Sequence, residues 1–320
     1  MDRLTENRIV LVTRRTRFEE LISKFNTASQ AKFYIEHLGA DFGEYENEHF
    51  LYQEQRETCT ATLARQAKVS QIERAFLPNY VFRPDDVVVV LGQDGTVANT
   101  LKYLQGQPCI GVNPDPARWD GVLLPFEVND LRELLPAVFA KRAPLESITF
   151  AKATLNTGET ILGVNDLFIG PASHTSARYQ ITHQGQTERQ SSSGIIVSTG
   201  LGSTGWLKSI VAGANGIASA LQGDFHPRPL WKPLPWDHPE LIFSAREPFP
   251  SKSSETNLVY GGIHAGNPLI LVSEMAQQGV IFSDGIEKDF LPFNNGTKAT
   301  ITVVPNAGTL VVRKSQPFTD

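Results

Sequence analysis

The pattern of apolar and polar positions divides the chain into two parts. In the first, short unbroken apolar runs alternate with longer stretches of helical spacing. Arg8 to Thr13 and Val87 to Leu91 are almost free of polar residues, which predicts buried parallel strands covered on both faces. Pro108 to Asn113 predicts another strand, closed by Pro114-Asp115-Pro116, where the prolines preclude regular structure. Phe18, Leu21, Ile22, Phe25, Phe33, Ile35 and Leu38 recur near helical spacing. Residues 44–76, rich in Glu, Gln, Arg and Ala, read as helix broken once, with apolar positions so sparse that much of the surface is wet. Thr96 to Leu104 and Phe126 to Ala140 read as further helices. Strands alternating with helices predict a doubly wound, Rossmann-like α/β domain over residues 1–143.

After Arg142-Ala143-Pro144 the period shortens to that of strands. Such stretches occupy 147–155, 159–164, 178–182 and 194–199, then 257–260, 268–272, 279–283, 298–304 and 309–312. Turn residues punctuate them, as in Asn156-Thr157-Gly158, Gln184-Gly185-Gln186 and Asn294-Asn295-Gly296. This predicts an all-β domain of layered sheets over 144–320. One interruption, 203–221, is helical. Another, 223–239, holds five prolines, two tryptophans and two histidines and reads as an irregular lid or interface segment. His226 and His238 have no partner at a metal-ligand spacing, so no metal site is assigned to them.

Composition narrows the function classes. A net charge of −5 over 320 residues disfavours a broad nucleic-acid or membrane surface. Cys59 and Cys109 lack a Cys-x-x-Cys spacing and read as buried thiols of a reducing compartment. No apolar run approaches the roughly 20 residues that span a bilayer. The N-terminal residues lack the apolar core of a signal peptide, so a cytoplasmic location is expected.

The candidate chemistry lies where strands end. Gly92-Gln93-Asp94-Gly95-Thr96 follows the valine strand and opens a helix. Glycines there admit close approach by a ligand, and a helix start attracts anions. An Asp-Gly turn is the plain alternative. Arg14, Arg15 and Arg17 follow the first strand and could fork onto phosphate or stand as a solvated cluster. In the second part, Thr199-Gly200-Leu201-Gly202-Ser203-Thr204-Gly205-Trp206 repeats the order strand, glycine turn, hydroxyls, helix start. There Ser203 or Thr204 could cap the helix, and Trp206 could stack on a base or pack in the core. Asn165 and Asp166 are polar residues inside an apolar run. They read as a ligand-facing pair or as a turn. Ser283-Asp284-Gly285 could be a hairpin turn.

Taken in order, these motifs resemble those of the NAD kinase family, over nearly the whole chain. The wording of Thr13 to Glu19, Ile110 to Pro116, Val164 to Gly170 and Ser192-Ser193-Gly194 is most similar to the branch that includes the animal mitochondrial enzyme. The resemblance implies an NAD kinase fold and transfer of phosphate from ATP with Mg²⁺, or from polyphosphate, to the 2′-hydroxyl of the adenosine ribose of NAD, giving NADP. It also implies a homodimer or larger homo-oligomer. Asp94 would then be the catalytic base. Gly92, Gly95 and Thr96 would line the donor loop, with Arg14 and Arg17 as a donor-phosphate clamp. Asn165 and Asp166 would hold the adenosine part of NAD. Thr204, Trp206 and Ser209 would form adenine and nicotinamide contacts, and Asp284 would complete the site. The chain departs from the family at Gln93, where a second glycine is usual, at Asp166, where Glu is usual, and at Gly205, where Ala is common. If position 93 needs a positive φ, Gln costs of order 1 kcal/mol. The alternatives are a related kinase acting on a lipid or sugar, and a nucleotide-binding module with weakened catalysis.

Overall fold

A computed structural model describes residues 5–222 and 231–313. His226 and the rest of 223–230 lie outside the described residues, as do 1–4 and 314–320. The chain forms two compact units. One runs to Glu146 and takes back the chain from Thr309, and the other is Ser147–Gly308.

The first unit comprises β1 (Arg8–Thr13), α1 (Arg17–Phe25), α2 (Ala28–His37), α3 (Gly43–Ala64), β2 (Lys68–Glu73), β3 (Val87–Leu91), α4 (Asp94–Leu101), β4 (Cys109–Val112) and α5 (Leu131–Phe139). Its parallel strands lie in the order β2-β1-β3-β4. The chain therefore leaves β1 toward one edge and returns to add β3 on the other side. Loops after β1 and β3 diverge there, and open α/β sheets bind ligands at such a switch point. Val87 to Leu91 are buried to a residue, each worth about 1.5–3 kcal/mol of transfer free energy as an upper figure. Tyr52, Cys59 and Leu63 of α3 and Leu131 and Leu135 of α5 cover one face of the sheet.

Three expectations change here. Lys68–Glu73, read as helix, is an edge strand paired with β1 from Arg8↔Lys68 to Thr13↔Glu73. Only Val69 and Ile72 are apolar, because an edge strand leaves much of itself in water. The helix after β3 begins at Asp94 rather than Thr96. The helix read from Phe126 begins at Leu131, since Phe126 bridges to Val112 and 128–130 form a 3₁₀ turn.

The second unit contains β5 (Leu145–Leu155), β6 (Thr160–Gly163), β7 (Asp166–Pro171), β8 (Ala177–His183), β9 (Gln186–Ser192), β10 (Ile195–Ser198), α6 (Trp206–Gln222), β11 (Leu241–Ala245), β12 (Tyr260–Ile263), β13 (Leu269–Ser273), β14 (Gly279–Ser283), β15 (Phe290–Pro292) and β16 (Lys298–Val311). Among the described residues β12-β11-β10-β7-β14-β15 form one antiparallel sheet. In the other layer β16, β13, β8 and β9 lie side by side, with β5 and β6 joined to β16. Leu167, Ile169, Val197 and Phe243 from the first layer meet Ile181, Leu271 and Ile301 from the second, which is sandwich packing. The two late strands expected at 298–304 and 309–312 are one, β16, which passes back into the first unit at Thr309, where Leu310 pairs with Cys109. Among the described residues no helix is long and apolar enough to cross a membrane.

Candidate functional site

In the first unit the candidate residues gather at the carboxyl ends of β1, β3 and β4. Asp94 is the first residue of α4, and its Oδ1 accepts from Leu123 N at 2.7 Å. One carboxylate oxygen is thus fixed by the chain beyond β4, and Oδ2 has no hydrogen-bond partner among the described residues. Thr96 N and Val97 N donate to Gln93 O. The amides of Asp94 and Gly95 have no acceptor within the helix by position. Thr96 is buried, and its side chain fills the space over Gly92, where a Cβ would come within 3.1 Å of Thr96 Oγ1. Gly95 is exposed, has nothing within 4 Å of where a Cβ would be, and sits in the first helical turn. Packing gives no reason for a glycine there, although it weakens the helix by about 1 kcal/mol relative to Ala. Gln93 has φ −123 and ψ 165. That is extended backbone open to any residue, so the strain expected of a non-glycine does not arise.

The arginines after β1 converge on a residue that sequence reading missed. Glu48, on the buried face of α3, accepts from Arg14 Nη2 at 2.9 Å and from Arg17 Nε at 2.6 Å. Arg118 Nη1, from the loop after β4, lies 3.4 Å from its Oε2. Burial pushes the Glu48 carboxyl up, and the hydrogen bonds and charges of Arg14 and Arg17 more than offset this, leaving it below the usual carboxylate range. One turn along α3, the Tyr52 hydroxyl donates to Leu91 O and accepts from Arg14 N, each at 3.0 Å. Burial holds that phenol up at about 12, so it stays a donor. Arg15 is drawn off to Glu73 at the end of β2. Nothing in the sequence distinguished Glu48 from its acidic neighbours Glu44 and Glu46.

In the second unit Asn165 lies in a turn and Asp166 opens β7, paired with Ser198 of β10. The chain turns at Val164-Asn165, between β6 and β7. Asp284 Oδ1 accepts from Val164 N (3.0 Å), Asn165 N (2.6 Å) and Asp166 N (3.3 Å), and Asp284 N donates back to Asp166 O (3.1 Å). Successive amides aimed at one point make an anion nest, and here the anion is Asp284. Its carboxylate shapes the turn that presents Asn165 and Asp166. Burial first, and the Asp284 charge second, push the Asp166 carboxyl up to about 7.

The glycine-rich loop after β10 packs against the same turn. Thr199 Oγ1 donates to Val164 O at 2.6 Å, and a Cβ on Gly202 would lie 2.0 Å from Asn165 O. A Cβ on Gly200 would lie 1.9 Å from Pro235 O. Ser203 Oγ accepts from Leu234 N, and Ser203 O from Trp231 Nε1. The described part of the proline-rich segment, 231–239, is therefore fastened to this loop. Ser203 and Thr204 do not cap the helix. Leu201–Thr204 is a 3₁₀ turn, and α6 starts at Trp206. Thr204 and Ser209 are exposed. Trp206 lies parallel to Phe168, ring centroids 5.9 Å apart, with the Arg246 guanidinium 5.2 Å from its own centroid. Arg246 was not expected. Cys59 and Cys109 are buried free thiols, both pushed up to about 12 by burial and so unreactive.

No family model matches the chain. The NAD kinases of two Clostridium kluyveri strains are 31% identical to it over 129 residues, covering 38% of this chain. The chain spans only 44% of the length of those curated relatives. Among solved structures, yeast NADH kinase complexed with NADH matches with a TM-score of 0.58 and 15% identity, covering 97% of this chain and 84% of that one. An NAD kinase from Archaeoglobus fulgidus in complex with ATP matches with a TM-score of 0.53 and 14% identity, covering 95% and 93%. The chain has the fold of these kinases, an α/β domain followed by a β-sheet domain.

Proposed function

We propose that the protein is an NAD kinase, transferring the terminal phosphoryl group of ATP or polyphosphate to the 2′-hydroxyl of the adenosine ribose of NAD. The observation that carries this is Asp94. Its carboxylate stands at the switch point of a doubly wound sheet, one oxygen fixed by Leu123 N, beside a glycine that packing does not require. Phosphoryl transfer asks for positioning and charge neutralisation. Asp94 takes the hydroxyl proton as the ribose oxygen bonds to the terminal phosphorus. The bond from that phosphorus to its bridging oxygen breaks, and ADP or a shortened polyphosphate leaves. The amides of Asp94 and Gly95 and Arg17, with Arg14 behind it, face the charge. Asn165 and Asp166 hold the adenosine part, and Thr204, Trp206 and Ser209 contribute ring contacts.

Among the described residues no three His, Cys, Asp or Glu side chains converge on a metal position. Mg²⁺ held mainly by the donor's own phosphates would offset their charge, and Asp94, with Oδ1 taken by Leu123 N, keeps Oδ2 for the hydroxyl proton. Support also comes from the named ligands of the solved neighbours, NADH and ATP. The link to the animal mitochondrial branch rests on motif wording alone. A homodimer or larger homo-oligomer belongs to the same proposal and is read by light scattering.

The test is NADP formation by the purified protein with NAD, Mg²⁺ and either ATP or polyphosphate. NADP should accumulate with at least one donor. Phosphorylation of diacylglycerol or a sugar instead, or NAD binding without turnover, would overturn the proposal.

A further inference from the structure

Glu48 lies over the end of β3. Arg14 and Arg17 follow β1, Arg118 follows β4, and β1 and β4 are the two neighbours of β3. A carboxylate that accepts from both loops therefore ties together the loops that follow the two neighbours of β3. Tyr52, four residues on along the same helix, fixes this placement by tying Arg14 N to Leu91 O, the residue before Gly92.

Three guanidiniums share Glu48, and among the described residues the one other acid within 4 Å of them is Asp115, 3.7 Å from Arg118 Nε. Glu19 is occupied by the capping of α1 at Thr16, and Glu73 by Arg15. The side chains of Arg17 and Arg118 are 41% and 31% exposed, against 10% for Arg14. Arg14 Nε is buried without a hydrogen-bond partner. Such a group is costly unless something completes it. Arg14 is thus the inner strut, also held against the Tyr52 ring, while Arg17 and Arg118 keep donors toward solvent.

We infer that Glu48 is a positioning residue for a polyphosphate cradle, in which Arg17 and Arg118 take the outer phosphates of a linear phosphate chain. The identity of that chain as the phosphoryl donor rests on the kinase reading. The cradle itself does not. Guanidinium forks match phosphate oxygens, and a shared carboxylate pre-orients them.

The experiment is titration calorimetry of the full chain with sodium tripolyphosphate, and separately with ATP, for the native protein and for Arg118→Ala, Arg118→Lys and Glu48→Gln. Arg118→Ala should weaken both ligands at least about tenfold, with partial recovery in Arg118→Lys. Loss with ATP alone would mean that the nucleoside, not the phosphate chain, is what the site reads, and would overturn the cradle. Glu48→Gln separates positioning from field. Removing a negative charge by itself tightens anion binding, whereas loss of the common anchor weakens it. The inference expects weakening. If Glu48→Gln does not fold, Arg118→Ala decides, and unchanged tripolyphosphate binding in that variant overturns the inference. In turnover, Arg118→Ala should raise the KM for the donor and leave that for NAD within twofold. Because tripolyphosphate binding is read without NAD, failure of the kinase reading shows as missing NADP in the native protein, not as a missing cradle.

Discussion

The two units hold their candidate ligand groups by opposite means. In the first, long charged side chains from two loops meet on one buried acid, and their outer ends remain wet. In the second, backbone amides close on Asp284 and backbone carbonyls press on glycines. An assembly of charges can yield by a rotamer and weakens with salt. One built from main chain cannot yield without moving a strand. Donor-side contacts are therefore expected to be soft and ionic-strength dependent, and the Asn165–Asp166 turn stiff.

The largest effect expected from this contrast is at Gly202. Gly202→Ala puts a methyl 2.0 Å from Asn165 O, and denaturant unfolding should show a loss of about 3 kcal/mol or more. A loss under 1 kcal/mol would mean that the turn is as pliant as the arginine cluster.

Next is the pH dependence set by Asp166, whose carboxyl is pushed from 3.8 to about 7. Below about pH 4 folded and unfolded chains both hold this proton, and nothing is lost. As pH rises toward 7 the unfolded chain releases it first, so stability falls, by roughly 4 kcal/mol at most. Asp166→Asn should flatten that slope between about pH 4 and 7. An unchanged slope would show that the residue titrates normally.

A smaller effect separates packing from function in the first unit. Gly95→Ala meets nothing within 4 Å, so the protein should gain about 0.5–1 kcal/mol. The same variant should lose kinase activity about tenfold if a ligand approaches there. A gain in stability with unchanged kinetics would make Gly95 incidental. The smallest effect is at Gln93. With φ at −123, Gln93→Gly should cost at most about 1 kcal/mol and leave the rate within threefold. A large gain in rate would mean that the glutamine side chain blocks the donor.

How much of this was legible follows from the same physics. Val87 to Leu91 announced itself because a central parallel strand must be apolar on both faces. β2 and β9 did not. The first is a half-wet edge. The second buries Glu188, Gln190 and Ser192, made tolerable by hydrogen bonds to Asn257 N, Leu258 N and the Tyr179 hydroxyl. A polar strand satisfied by a distant loop has no local signature. β11, which follows directly on the proline-rich stretch, was hidden by its surroundings. Asp94 was legible from the glycines around it. Glu48 was not, since its meaning depends on arginines 31 and 70 residues away. The split function of the glycines depends on neighbours distant in sequence. Gly200 and Gly202 are there for carbonyls, and Gly95 is not.

The most direct measurement on the central claim is the rate of NADP formation by Asp94→Asn beside the native protein, with NAD affinity measured in both. The variant keeps the shape and a side-chain oxygen for Leu123 N but cannot take a proton. kcat should fall by about 10²–10⁴, with NAD binding and unfolding midpoint little changed. An Asp94→Asn protein that makes NADP at the native rate would contradict the role of Asp94 as the base.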